Sequence, residues 1–170
     1  MTAFIALLRA VNVGGTGKLP MTELKAMCEA AGHMAVRTYI ASGNVVFESR
    51  QSEAAVRADL EQRLADHAGK PVGVVVRTAA EMAAVRDANP FPDAPGNRAV
   101  VIFLDAPPPA DALERAVGRG HEEMALGLRE IYVRYDEGMG TSKLRIPAAK
   151  AGTARNMNTV AKLAAMAGGL

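Results

Sequence analysis

The segment Arg9-Ala10-Val11-Asn12-Val13-Gly14-Gly15-Thr16-Gly17-Lys18 concentrates groups that hold anions. Successive glycines let backbone N–H groups converge on an oxyanion, and Arg9 and Lys18 add positive charge at the two ends. The order of apolar strand, glycine loop and lysine invites comparison with the phosphate loop of nucleoside triphosphatases. It departs from that loop twice. Asn12 stands at the first glycine position, and Leu19 replaces the hydroxyl that ligates magnesium. The segment therefore predicts either a looser anion nest, with Arg9, Asn12, Gly14, Gly15 and Lys18 as its candidates, or a plain turn whose glycines permit positive φ.

Two other loops carry hydrogen-bonding groups. Ser42-Gly43-Asn44 offers a hydroxyl and an amide to a ligand, but Gly and Asn are also the preferred turn formers. It is no nucleophile elbow, because Ile40 holds the first glycine position and a strand follows. Gly138-Met139-Gly140-Thr141-Ser142-Lys143 reads as a glycine-rich entry to a short helix, with Ser142 and Lys143 as anion ligands or Thr141 and Ser142 as caps. A last helix, capped by Thr153, would carry Arg155, Thr159 and Lys162 on one face with Asn158 beside them. His33, His67 and His121 lie far apart, so no metal site is expected. Cys28 is the only cysteine, which excludes an intramolecular disulfide, and its place beside Met27 suggests core.

Composition sets the frame for these candidates. The chain has 170 residues, 49% hydrophobic and 22% charged, which excludes a disordered protein. Aromatics are 4% with no Trp, leaving little for stacking on single-stranded nucleic acid. The net charge of +2 is unevenly spread. Residues 1–77 hold nine basic and seven acidic groups, 78–137 hold six and eleven, and 138–170 hold five and none. The basic tail thus either attracts an anion or docks on the acidic stretch. The apolar run 3–8 is too short for a signal sequence and no stretch approaches a membrane span, so a cytoplasmic protein is expected.

Periodicity supplies the elements. Phe4–Leu8 reads as a buried strand. Met21, Leu24, Met27 and Ala31 mark a helix stopped by Gly32. Val36–Ile40 and Val45–Glu48 form a hairpin, Val56, Leu60 and Leu64 stripe a second helix capped by Ser52, and Val72–Arg77 is a strand. This β-α-β-β-α-β order is that of the ferredoxin-like fold. Thr78-Ala79-Ala80-Glu81 is a capping box. The order then recurs as strand 99–104, helix 110–118, hairpin 123–135 and helix 141–146. The expectation is an α+β chain of two tandem ferredoxin-like halves, the second degenerate, with a C-terminal helix. The corresponding ranges are 1–77, 78–150 and 151–170, sharing a core.

Four segments are specific enough to point to a family: Leu-Leu-Arg-Ala-Val-Asn-Val-Gly-Gly at 7–15, Arg-Thr-Tyr-Ile-Ala-Ser-Gly-Asn-Val-Val-Phe at 37–47, Ser-Lys-Leu at 142–144, and Thr-Ala-Arg-Asn-Met-Asn-Thr-Val-Ala-Lys-Leu at 153–163. With Asn-Pro-Phe at 89–91, the chain resembles the bacterial domain-of-unknown-function family 1697 along nearly its whole length. The resemblance implies a tandem α+β fold and no established activity or cofactor. The chain differs from it in having Met157 where Trp is common, and in a shortened stretch between Leu144 and Thr153.

These readings favour a binder of a phosphate-bearing ligand, nucleotide or nucleic acid, through the glycine loops and the basic C-terminal segment. The alternatives are a small hydrolase or transferase acting on a phosphate or acyl-phosphate compound, and an interaction protein that pairs sheet edges in a homodimer. The enzyme reading rests on Arg9 and Asn44, placed loosely as in acylphosphatases, and no acid–base pair is visible.

Overall fold

A computed structural model of the chain describes residues 1–11 and 18–170. Buried apolar runs form central strands of its two sheets, β1 at Thr2–Leu8 and β5 at Ala99–Phe103. The first unit comprises Met1–Ala83 and Leu163–Leu170, the second Ala84–Lys162.

In the first unit, β1 (Thr2–Leu8), β2 (Met34–Thr38), β3 (Asn44–Ser49) and β4 (Val74–Thr78) pair antiparallel in the order β2-β3-β1-β4. Helices α1 (Met21–Ala30) and α2 (Glu53–Ala68) connect them. Leu24 and Cys28 of α1 and Val56, Leu60 and Leu64 of α2 join Phe4, Ala6, Leu8, Phe47 and Val76 in one core. The opposite face, including Ile5, Leu7, Val46 and Arg77, is buried as well. Ser52 caps α2 by accepting from Ala55 N at 3.2 Å, and Gly69 ends it at φ 71°.

In the second unit, β5 (Ala99–Phe103), β6 (Glu123–Leu126), β7 (Glu130–Arg134) and β8 (Thr153–Asn156) pair in the order β6-β7-β5-β8. Val100, Ile102, Ile131, Val133 and Tyr135 form its core, with half-buried Leu113, Leu144 and Ile146 packed on it. Helix α3 (Ala79–Asp87) follows β4, and α4 (Met157–Gly168) follows β8. The expected capping box is present: Thr78 N donates to Glu81 at 2.9 Å, and Glu81 N donates to Thr78 Oγ1 at 3.1 Å.

Three expected helices are corrected. Residues 110–115 turn without forming a helix, because Val117 exchanges backbone hydrogen bonds with Arg145 at 2.9 and 2.8 Å and must be extended. The same bridge removes the helix expected at 141–146. Only 3-10 turns remain there, at Met139–Thr141 and Pro147–Ala149. Thr153 does not cap the last helix. Thr153–Asn156 is instead a strand on β5, whose backbone groups require a partner. The cap is Asn156, which accepts from Thr159 N at 3.0 Å.

The two sheets share register as well as order. Ile5 faces Arg77 across β1–β4, and Val101 faces Arg155 across β5–β8. Leu8 N donates to Gly43 O, and Leu104 N to Arg129 O, both at 2.9 Å. Each fourth strand ends on the residue that caps the next helix, Thr78 or Asn156.

Candidate anion-binding site

The site is built where β1, α2 and β4 end or begin. Arg9 follows β1, and its N–H donates to Gly73 O at 2.9 Å. A Cβ on Gly73 would lie 3.6 Å from Arg9 Cβ and Cδ, so the arginine stem rests on this glycine. Ala10 has φ 53°, an unusual conformation for a residue with a side chain. Val11 and Leu19 return to the core, while Lys18 is exposed beside them. After Gly69 ends α2, Lys70, Pro71 and Val72 lead back to β4, whose Val74 pairs with Leu8.

These segments enclose a cavity of ≈ 630 Å³, within the range of about 300–1,000 Å³ usual for small-ligand sites. Val11, Leu19, Leu64 and Val72, all members of or packed on the first core, contribute to its lining. Arg9, Lys18, Lys70 and His67 are among its lining residues, and no described carboxylate is. His67 Nε2 lies 3.1 Å from Glu23 Oε2, so this lining residue has a carboxylate partner of its own. A concave site of one charge sign over an apolar, low-dielectric wall attracts anions more strongly than the same cations spread on a surface.

Of the residues expected from sequence, Arg9 and Lys18 meet here. Asn12, Gly14 and Gly15 lie outside the described residues. Ser42 and Asn44 do not line the cavity. Asn44 is buried, and its Nδ2 donates to Tyr39 O at 3.0 Å and Ser42 Oγ at 2.9 Å. Their turn packs on one lining residue: a Cβ on Gly43 would come within 2.7 Å of Val11 Cγ2.

Ser142 and Lys143 belong to a separate cleft of ≈ 180 Å³ in the second unit, with Glu122, Asp136 and Glu137. The Ser142 hydroxyl donates to Glu122 at 2.5 Å, and Gly120 N donates to the same carboxylate at 2.6 Å. The Ser142 hydrogen bond, followed by backbone donors, holds the Glu122 carboxyl below its usual range. Three carboxylates make this cleft a poor place for an anion.

The basic helical face is overturned. Arg155 lies on β8, is buried, and donates to Thr153 Oγ1 at 2.7 Å and Ala154 O at 2.9 Å. Burial pushes its pKa down to about 10. Thr159 is buried too, and Lys162 alone of the three is exposed. Asn158 is exposed at the start of α4, with its N–H 3.4 Å from Gly96 O.

Lys70 and His67 were not singled out from sequence. For Lys70 the available signal was topological, since the loop entering β4 must lie beside the end of its antiparallel partner β1, whereas His67 is carried there by the last turn of α2.

The family model described as protein of unknown function (DUF1697) matches residues 1–132. The chain belongs to this family. No curated protein matches it in sequence. Among solved structures, the chain is similar to the conserved bacterial protein SP0830 from Streptococcus pneumoniae, at 24% identity, with 98% of each chain covered and a TM-score of 0.78. At that identity the likeness establishes a common α+β fold for the DUF1697 chain, whose described residues form two four-stranded antiparallel sheets and four helices, one of them C-terminal.

Proposed function

We propose that the chain binds a phosphate-bearing small molecule in the cavity at the end of β1, with Arg9, Lys18 and Lys70 as its anion ligands. One observation carries the reading: three cationic side chains and a histidine line a cavity to which no described carboxylate contributes. Arg presents a planar fork of donors to oxyanions, and Lys acts as a point charge. A small ligand is favoured over a nucleic-acid strand because Arg155, expected on a basic helical face, is buried on β8. No described helix is long and apolar enough to cross a membrane.

We further infer that both units are ferredoxin-like and arose by duplication. Support comes from the shared strand order, the Arg77 and Arg155 register positions, and the matching caps Thr78 and Asn156.

Calorimetric titration with inorganic phosphate and a nucleoside monophosphate tests the site. Binding should weaken by at least about tenfold in Arg9→Gln and in Lys70→Gln, the loss expected for one charge-assisted contact. Absence of binding, or unchanged affinity in both variants, would overturn the reading.

A further inference from the structure

Residues 21–38 are lightly anchored to the first unit, and the turn at their middle buries a histidine with no place for a second proton. We infer that α1 and β2 open together as one local unit when acid protonates His33, the residue that joins them. This does not depend on what the cavity binds.

His33 sits in the turn between α1 and β2. Its N–H donates to Cys28 O at 3.1 Å after Gly32 turns the chain at φ 88°. The side chain is 5% exposed and lies flat on Phe47 of β3, with ring centroids 4.3 Å apart and planes 12° from parallel. Nε2 has no hydrogen-bond partner among the described residues. A second proton would leave a charged, buried N–H without an acceptor. Burial accordingly pushes the pKa below the ordinary histidine value; Asp59 opposes this and Arg63 reinforces it. Both charges come from α2, where they pair with each other at 2.8 Å. On β3, Glu48 follows Phe47 and so projects from the other face of the strand. Cys28 of α1, pushed up to about 12 by burial, stays uncharged.

The anchorage is slight at both ends. α1 has ten residues, starts at Pro20 with no side-chain cap, has no basic residue in its last turn, and buries only Leu24 and Cys28. β2 is an edge strand whose register slips between Met34 and Arg37, where Ala35 has φ 53°. By contrast, α2 has sixteen residues and a cap at each end, and β1 is paired on both sides. Local openings are drawn from segments of the first kind. Once open, the segment binds the proton at about the ordinary histidine pKa of 6.5, so opening is favoured as pH falls through that value. It exposes Cys28, and it loosens the cavity lining at Leu19, which reaches α1 through Pro20. His67 of α2 acts in the other direction, since its charge would tie α2 to Glu23 of α1 at 3.1 Å, but that pair is half exposed and worth little.

Amide hydrogen exchange on the full chain, corrected for the intrinsic pH dependence of exchange, tests this. The amides of α1 and β2 should be less protected than those of β1 at pH 7, and should lose a further five- to tenfold, roughly, by pH 5.5. In His33→Gln and His33→Phe that loss should shrink to within about twofold, which separates His33 from His67. A thermal melt checks that each variant folds; if neither does, the unaltered chain decides. Protection in α1 or β2 equal to that in β1, protection unchanged between the two pH values, or the same loss in a folded variant would overturn the inference.

Discussion

The ends of β1 and β5 occupy corresponding places in two sheets of the same order, yet they carry opposite charge. After Leu8 the chain has Arg9; after the matching Leu104 it has Asp105. The first position opens on a cavity beside the end of α2, with Lys18 and Lys70. In the second unit, turns and two 3-10 segments stand where the first has helices. Its cleft is lined by three carboxylates and one lysine. The strands provide a common scaffold, and the helices and loops between them set the charge and the shape found at each end.

The largest effect should come from the turns that support the two ends. Gly43 has φ 88°, and a Cβ there would press on Val11 Cγ2 at 2.7 Å and Leu8 Cβ at 2.8 Å. Gly43→Ala should cost about 2–4 kcal/mol in urea unfolding. Arg129 makes the matching backbone bond in the second unit, and Arg129→Ala should cost less than about 1 kcal/mol. Equal costs would break the contrast between the two turns.

Charge exchange comes next. Arg9→Asp gives the first unit the acidic character of the second, and phosphate affinity should fall more than about tenfold. Asp105→Arg should leave that affinity within about twofold of its starting value, because one cation in the second unit lacks the surrounding cavity. A gain of phosphate binding in Asp105→Arg would make the strand end alone sufficient for the site.

The shared feature of the units is tested by their caps. Thr78→Ala and Asn156→Ala should each cost about 1 kcal/mol in the same unfolding assay. A cost confined to one of them would weaken the correspondence drawn from register.

The smallest effect belongs to the first unit alone. His33 is buried, stacked on Phe47 at 4.3 Å, and its Nε2 has no hydrogen-bond partner among the described residues. Burial pushes its pKa below the ordinary histidine value, with Asp59 opposing and Arg63 reinforcing. The unfolded chain then takes up the proton first, so this contribution is present above about pH 6.5 and is lost as pH falls towards the folded value. Between pH 7 and 5.5 the melting temperature should drop by about 2 °C more in the unaltered chain than in His33→Gln. Identical pH profiles would remove His33 from the account.

Much of the scaffold was legible in the residues. Unbroken apolar runs at Phe4–Leu8 and Ala99–Phe103 marked the central strands, and Ser52, Gly69 and Thr78-x-x-Glu81 marked helix ends through local hydrogen bonds. Thr153–Asn156 was not legible as a strand. Its Thr-Ala-Arg-Asn sequence has little strand propensity, and it is drawn extended by the edge of β5 at Val100–Phe103, at least fifty residues away. Val117 and Arg145 are extended for the same kind of distant reason. The candidate site was legible in half: Arg9 and Lys18 flank the glycine loop, whereas Lys70 reaches it through the pairing of β4 with β1 and His67 from the last turn of α2.

Amide chemical-shift mapping during phosphate titration of the full chain tests most directly whether the anion site belongs to the first unit. Shifts should concentrate at Arg9, Lys18, Lys70 and Gly73 and be absent at Asp105, Ser142 and Lys143. Shifts centred on Ser142 and Lys143, or no saturable shift at Arg9, would contradict it.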